Sequence, residues 1–336
     1  MRNSTRRLFN AYVSQIAALN GVEDANQSFS VDPSVQQKLE DRIQESSDFL
    51  QRINSTGVPE LKGEKLGLGI GSPIASRTNT AANDRAPIDP STLDNLAYEL
   101  FKTDFDTFIT YQKLDTWAKF PDFQERIRNA ILRRCALDRI TIGWNGVNAA
   151  AATDRVANPM LQDVNKGWLQ HLREDKPEHF VTEGAAPGAI TVGADGDYKT
   201  LDALVYDLVN GLMPTWAAGD TELVAIVGRG LLHDKYFPLI NQDQDPTEQV
   251  ARDIIMSSKR LGNLPAATVP FFPANTIAVT RYDNLSIYYQ DGKRRRTIVD
   301  NAKRDRIENY ESSNEAYVVE DYDFMVAAEN IEFVAA

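Results

Sequence analysis

The chain has 336 residues, 42% of them hydrophobic and 25% charged, an ordinary globular composition that excludes disordered, collagen-like and membrane-embedded proteins. Its 36 basic and 48 acidic side chains give a formal net charge of −12, which argues against a protein that mainly grips a phosphate backbone. Single hydrophobic cores stop growing at about 250–300 residues, so we expect at least two lobes.

The chain contains no apolar run of the ~18 residues that a membrane span needs, and its N-terminus lacks a secretory signal. We therefore expect a cytoplasmic protein without membrane contacts. Its single cysteine, Cys135, falls at an apolar helical position and is interpreted as a buried thiol.

The first 29 residues predict a short amphipathic helix on a separate arm, because apolar side chains recur at helical spacing at Leu8, Tyr12, Ile16 and Leu19. The polar stretch Glu23–Ser30 is expected to be flexible. A second helix is predicted after Asp32, since Pro33 suits a first helical turn.

Residues 57–90 are rich in glycine, alanine, threonine, asparagine and proline and hold few large apolar side chains. Such a stretch cannot supply a core, so it predicts a long hairpin or loop that projects from the body. Alternating polar and apolar residues in 101–108 then predict a strand that returns to the core.

The strongest helix prediction runs from Pro121 to about Ile142, with apolar residues at four-residue spacing at Phe123, Ile127, Ile131 and Cys135. At 1.5 Å per residue, a helix of about 20 residues spans about 30 Å and could brace a flat subunit. The other face of this helix is predicted to carry four arginines: Arg126, Arg133, Arg134 and Arg139. We interpret this face as a solvated or intersubunit surface in preference to a nucleic-acid site.

From about residue 158 to 300, helical stretches alternate with short apolar runs and predict a mixed helix and sheet unit. Leu201–Leu212 is predicted to be a helix, and Leu223–Val227 a buried strand. The final segment, Tyr317–Val334, alternates as strands do.

The sequence gives little indication of a metal site or of a catalytic triad. The three histidines, His171, His179 and His233, show no i, i+4 pair, and one cysteine excludes a structural zinc site. A Ser-His-Asp arrangement stays open, although no serine lies in a Gly-x-Ser-x-Gly elbow. We expect no catalytic residue, metal or cofactor.

The most enzyme-like element is the turn Gly228–Gly230, which follows a predicted buried strand and precedes a predicted helix. A strand, a tight turn and a helix N-terminus could cradle an anion. The third glycine of the dinucleotide fingerprint and the Gly-Lys-Ser/Thr of a phosphate-binding loop are both absent, so a turn without a ligand is favoured.

The basic run Lys293–Arg296 follows Asp291 and Gly292. The favoured interpretation is a hairpin edge whose charge prevents edge-to-edge pairing. The alternatives are a DNA contact or a pairing with an acidic patch on a neighbour.

Eight stretches together resemble the major capsid proteins of peduovirus-type (phage P-two-like) tailed phages, and the likeness covers nearly the whole chain. These stretches are Phe9–Tyr12, Gln44–Asn54, Lys62–Gly69, Asp122–Ile131, Asn158–Gln170, Val227–Pro238, Asn284–Tyr289 and Arg306–Tyr322.

The resemblance implies an α+β chain with the Hong Kong 97-type capsid fold. The expected parts are an N-terminal arm (1–56), an extended loop (57–110), a peripheral domain (111–159 and 301–336) with a spine helix (121–142), and an axial domain (160–300). It further implies self-assembly into hexamers and pentamers of an icosahedral head shell, formed in the host cytoplasm, around double-stranded DNA that is enclosed without sequence-specific binding.

The implied partners are other copies of the chain, a scaffolding protein, a maturation protease and a portal protein. Residues 1–29 are the segment that such a protease would remove, with the cut near Phe29 and Ser30, where Gln27–Val31 is expected to be flexible enough for cleavage. The expected assembly contacts are charged residues of the loop, the spine helix and the basic run: Lys62, Glu64, Lys65, Arg126, Arg133, Arg134, Arg294, Arg295 and Arg296. A phage tail or tailocin protein is the first alternative, and a nucleotide-binding enzyme that uses Gly228–Gly230 is the second.

Overall fold

The computed structural model describes residues 1–70, 75–80, 84–87, 91–118, 120, 123–240 and 259–334. Its α-helices are α1 (Asn3–Leu19), α2 (Pro33–Glu45), α3 (Tyr111–Trp117), α4 (Phe123–Asn145), α5 (Trp168–Asp175), α6 (Leu201–Asp207), α7 (Thr215–Ala218) and α8 (Arg229–Ile240). The α6 helix continues into a π-helical turn, Leu208–Leu212. The predicted helices before residue 19, after Asp32 and over 201–212 are confirmed.

The first sheet is built on one long strand, β15 (Arg306–Val319). One edge of β15 pairs with β5 (Phe101–Asp104) and β6 (Thr107–Thr110), which confirms the strand predicted there. The other edge pairs with β13 (Leu285–Gln290) and β14 (Arg295–Asn301). Two short strands complete the sheet: β1 (Phe29–Ser30) beside β14, and β2 (Asn54–Val58) parallel to β13.

A bulge separates β13 from β14. Tyr289 lies opposite Glu315 and Arg295 lies opposite Ser312, so residues 290–294 face only residues 313–314. The run Lys293–Arg296 is not at a turn between β13 and β14, because these two strands follow one another along β15. Arg295 and Arg296 instead begin β14, which forms a hairpin with β15. The chain reverses later, at residues 302–305, where Asp305 adopts a left-handed conformation with φ 49°.

The second sheet has the strand order β10-β11-β9-β12-β16-β7. Its central strand β9 (Val224–Val227) is the predicted buried strand, and β11 (Leu264–Ala267) and β12 (Ile277–Thr280) flank it. The outer strands are β10 (Arg260–Leu261), β16 (Val326–Ala328) and β7 (Phe180–Val181). A separate parallel pair joins β8 (Ile190–Val192) to β17 (Ile331–Phe333).

The chain boundaries between the two sheets differ from the expected domains. Residues 285–290 and 295–300, expected in the axial domain, form β13 and nearly all of β14 in the first sheet, and β16, expected in the peripheral domain, lies in the second. Propensity and alternation identify these strands but not their partners, because pairing depends on contacts far apart in sequence. We call the two units the first and the second lobe, each named after its sheet.

A hairpin lies outside both sheets. It consists of β3 (Lys62–Ile70) and β4 (Ser91–Glu99), paired antiparallel from Lys62 with Glu99 to Ile70 with Ser91. Residues 101–110 belong to the first sheet, so the hairpin is shorter than the expected loop of 57–110. A hairpin or loop was predicted for residues 57–90. The second strand of the hairpin, β4, lies beyond that range and leads directly into β5.

Three apolar cores hold the described residues together. The largest packs α4, α5 and the loop around Phe49 against the first sheet. It also includes four residues of the second sheet: Phe180, Ile226, Ala278 and Ala327. A second core joins α6 and α8 to the second sheet. A third, smaller core packs α1 and the segment up to Val31 against α3 and the outer end of the first sheet.

Candidate assembly site

Two side chains of types that often act in catalysis, His179 and Cys135, are buried in the protein interior. The ring Nδ1 of His179 lies 3.0 Å from the carbonyl oxygen of Tyr322 and 2.9 Å from that of Met325. Burial raises the pKa of the Cys135 thiol to about 12, which leaves it protonated and inert. Among the described residues, no group of three or more histidine, cysteine or acidic side chains could hold a metal ion.

The Gly228 turn is lined by acceptors. A Cβ atom built on Gly228 would lie 1.9 Å from the carbonyl oxygen of Ala274 and 2.8 Å from that of Pro273, and the amide of Gly228 donates to the carbonyl of Thr276 at 3.0 Å. Carbonyl oxygens repel an anion, so this geometry disfavours a phosphate at the turn. The glycine is needed here for close backbone packing.

The most unusual feature of the interior is a chain of five charged side chains that we call the buried charge network: Glu311, Arg294, Glu40, Arg139 and Glu315. The Arg139 guanidinium lies 2.5 Å from a Glu40 oxygen and 2.6 Å from a Glu315 oxygen. The Arg294 guanidinium pairs with the other Glu40 oxygen and lies 2.6 Å from Glu311. None of the five side chains is more than 7% exposed.

Electrostatic attraction keeps the carboxylates of Glu40 and Glu311 charged. Burial opposes ionisation of Glu40, but the attraction of Arg139 and Arg294 outweighs it, so the pKa of Glu40 lies below its ordinary value. The pKa of Glu311 is lowered in the same way, because burial is outweighed by Arg294 and then Arg296. Three carboxylates face two guanidinium groups, and the charge of Arg296, next to Glu311, offsets the excess.

The network joins segments that are distant in sequence. Glu40 belongs to α2, Arg139 to α4, Arg294 to the bulge, and both Glu311 and Glu315 to β15. A turn away on α2, the side-chain amide of Gln36 donates to the carbonyl of Gln290 at 3.0 Å and accepts from the amide of Gly292 at 2.9 Å. Since the bulge residues lack full strand pairing, α2 satisfies their backbone groups and fixes the bulge in place.

Arg139 corrects one prediction. It was assigned to the exposed face of the spine helix, yet it is 2% exposed and lies in the network. The sequence contained the signal, because Arg139 continues the four-residue apolar series through Ile131 and Cys135, and such a series predicts the buried face of a helix. A charge in such a series predicts a buried ion pair, whose partner only the fold reveals.

The end of α4 crosses the start of α5 at close range. A Cβ atom on Gly143 would lie 2.3 Å from the ring of Trp168, and one on Gly146 would lie 2.2 Å from the carbonyl oxygen of Asn165. Trp168 is fully buried, and its indole N–H donates to the carbonyl of Ser286 at 3.1 Å. The spine helix is thus locked to the first sheet through this tryptophan.

The predicted assembly residues of the hairpin and of the spine helix lie on two surfaces. Lys62 pairs with Glu99 across the hairpin at 2.7 Å, Glu64 is exposed, and Lys65 turns toward the body. Arg126, Arg133 and Arg134 are exposed on α4, where Arg134 lies 2.5 Å from Asp138.

The structure separates the three arginines of the basic run. Arg294 is 1% exposed and lies inside the network, so its side chain cannot reach a neighbouring copy directly. Arg295 is exposed, and Arg296 is half-buried with its Nε atom donating to Asn309 at 2.8 Å.

The expected cleavage point lies in a strand. Phe29 and Ser30 form β1 and pair with Arg296 and Arg295 of β14, while the hydroxyl of Ser30 donates to the carbonyl of Gly292 at 2.7 Å. Phe29 and Ser30 are thus held in a strand ladder, and the flexibility of the stretch around them stays a prediction. The apolar side chains Ala25, Phe29 and Val31 anchor the stretch in the third core, which its polar composition concealed.

No described helix is long and apolar enough to cross a membrane.

Comparisons with known proteins show which protein family the chain belongs to. The family model "Phage major capsid protein, P2 family" matches residues 8–331. The chain is 52% identical to "Capsid proteins" of Escherichia phage P2, over 96% of this chain and 93% of that one. It is 40% identical to the "Major capsid protein" of Serratia phage KSP20, over 99% and 98% of the two chains.

The structure matches a chain of the satellite phage P4 procapsid that includes a size determination (Sid) protein. The TM-score is 0.83 at 48% identity, with 99% of each chain covered. The fold is the expected Hong Kong 97-type capsid fold, and the relatives are structural shell proteins and not enzymes. The chain is therefore a virion component that belongs to the P2 family of phage major capsid proteins.

Proposed function

We propose that copies of this chain form hexamers and pentamers that close an icosahedral shell around double-stranded DNA. The observation that carries this proposal is the hairpin of β3 and β4. Each strand has nine residues, so the hairpin reaches about 30 Å. A two-stranded hairpin is at best marginally stable alone in water, and a neighbouring copy that covers it supplies the missing contacts.

The remaining predicted contacts fit ring closure. A closed ring needs different patches on the two sides of each subunit, joined head to tail. We assign the hairpin residues Lys62 and Glu64 to one such patch. The arginines proposed for others are Arg126, Arg133 and Arg134 on α4, and Arg295 and Arg296 on β14. Each contact is weak, but many contacts made at once give a stable assembly that corrects errors while it forms.

We assign the chain a scaffolding protein, a maturation protease and a portal protein as partners, and assembly in the host cytoplasm. The net charge of −12 suits a container wall to which packed DNA does not adhere. A cut near Phe29 and Ser30 requires β1 to leave β14 first, because both residues lie in the strand ladder. The proposal is thus that the protease acts on a subunit whose first 31 residues have undocked.

Sedimentation and negative-stain microscopy of the purified chain, alone and coexpressed with a scaffolding protein, test the assembly. Closed shells, hexamers or pentamers are expected. Tubes would favour a tail or tailocin protein. A stable monomer or dimer whose melting temperature rises with nucleotides would favour an enzyme and overturn the proposal.

A further inference from the structure

The base of the hairpin rests on the body through one face. Residues 63 and 65 of β3 share this face with Tyr98 of β4, because side chains alternate along a strand and Gly63 pairs with Tyr98. A Cβ atom on Gly63 would lie 2.5 Å from the Tyr98 hydroxyl. The glycine therefore leaves room for the Tyr98 ring to lie across β3.

The body offers a matching surface, which we call the hairpin seat: Tyr288, Val319, Tyr322 and Asp175. The Tyr98 ring packs edge-on against Tyr288 with centroids 5.1 Å apart. The Lys65 ammonium donates to the carbonyl of Val319 and lies 5.5 Å from the centre of the Tyr322 ring. A cation over an aromatic face, combined with a hydrogen bond, orients a lysine side chain well.

The seat lies where the chain passes from one lobe to the other. Val319 is the last residue of β15 in the first sheet, and Val326 begins β16 in the second. Between them, the hydroxyl of Tyr322 bonds Asp175 of α5, and Lys176 lies 2.7 Å from Asp323. We call residues 319–326 the crossing segment. A side chain that contacts this segment therefore touches the connection between the two lobes.

We propose that Lys65 is a positioning residue that sets the direction in which the hairpin leaves the body and ties that direction to the crossing segment. This inference deepens the proposed function, since it names what aims the hairpin at a neighbouring copy. Lys65, expected as a contact between copies, then acts within its own subunit. The neighbouring Lys62 pairs with Glu99 of the same hairpin and sets no angle to the body.

Two spin labels on the full, unassembled chain test the proposal by pulsed electron resonance. Glu64→Cys places one label on the exposed side of the hairpin, and Glu178→Cys places the other on the exposed turn after α5. The native Cys135 is 5% exposed, and a chain with that cysteine alone must take up no label. Lys65→Met keeps the length of the side chain but removes its charge and its donor group.

In the Lys65→Met chain we expect the distance distribution to broaden and shift, with about tenfold less amide protection at the hairpin base. Lys62→Met should leave the distribution as in the parent. Lys65→Arg should restore it, because arginine can reach the carbonyl and stack on Tyr322. A Lys65→Met distribution that overlaps the parent's, in a chain with an unchanged melting temperature, overturns the proposal. Since no shell is needed, a failure to assemble contradicts only the proposed function.

Discussion

Arg139 of α4 and Glu40 of α2, which are 99 residues apart in the chain, form an ion pair of 2.5 Å that is closed off from solvent. The same carboxylate also holds Arg294 in the bulge of the first sheet. One glutamate thus fixes α2, which precedes the hairpin, to the spine helix and to the bulge between β13 and β14. We expect the network mainly to select one arrangement of these parts, because a buried ion pair typically adds little net stability compared with apolar packing.

Replacing Glu40 with glutamine should leave two guanidinium groups buried without their shared carboxylate. The expected loss is about 3–5 kcal/mol in the free energy of unfolding, which is typical when one partner of a buried pair is removed. Glu45→Gln is the matched control on the same helix. Glu45 is exposed and pairs with Arg42 on the surface, so we expect an effect within about 1 kcal/mol. Urea unfolding followed by circular dichroism measures both, and equal losses would contradict the role given to Glu40.

Acid should weaken the fold through the same carboxylates. The pKa values of Glu40 and Glu311 are lowered in the folded chain from an ordinary 4.5, so the unfolded chain binds more protons at low pH. The two carboxylates make their full contribution to the free energy of unfolding above about pH 4.5. This contribution is lost as the pH falls below that value toward the pKa values of the folded chain. Urea midpoints between about pH 7 and pH 3 should show this decline. The Glu40→Gln chain should show a shallower one, and identical slopes would count against the prediction.

Adding a methyl group at Gly143 should disturb the crossing of α4 and α5. Gly143→Ala places a carbon 2.3 Å from the Trp168 ring, which is fully buried and cannot move without breaking its bond to Ser286. Overpacking of this kind costs about 1–3 kcal/mol. Gly230→Ala on α8 is the control, since nothing lies within 4 Å of its Cβ position. Thermal melting and tryptophan fluorescence should respond to the first substitution only.

The N-terminal segment should undock more easily when its main apolar anchor is removed. Phe9 is 9% exposed in the third core, and truncating a buried phenylalanine costs about 3–5 kcal/mol. Phe9→Ala should therefore speed proteolysis between Asn20 and Val31 by at least about tenfold, while the first two cores melt as before. Asn10→Ala, its exposed neighbour on α1, should have no such effect. Global unfolding of the Phe9→Ala chain would show that the segment is not separable.

The sequence predicted the parts with strong local patterns. The four-residue apolar series placed α4 within three residues at its C-terminal end, Asn145 against the predicted Ile142. Glycine content marked the hairpin region, and alternation marked β5 and β6. These patterns depend on neighbours along the chain, so one sequence suffices to detect them.

The buried charge network could not be predicted from the sequence, for a physical reason. Arg294 lay in a run of four basic residues, which favoured an exposed edge, and nothing local indicated that Glu40 would meet it. The bulge that turns Arg294 inward exists because two registers along β15 differ, and register depends on pairing partners far away in sequence. Residues such as Lys62 and Glu64 were found by resemblance, and their roles between copies stay predictions.

The strand path from β4 into β5 is covalently continuous, with Leu100 as the only residue between them. Hydrogen bonds in an antiparallel ladder lie perpendicular to the strands. In the proposed shell, a pull from a neighbouring copy on β3 and β4 would therefore enter the first sheet as shear along β5 and β6, spread over many bonds at once. In that shell, such a subunit would bear internal pressure through its backbone, and its side-chain contacts would keep the parts aligned.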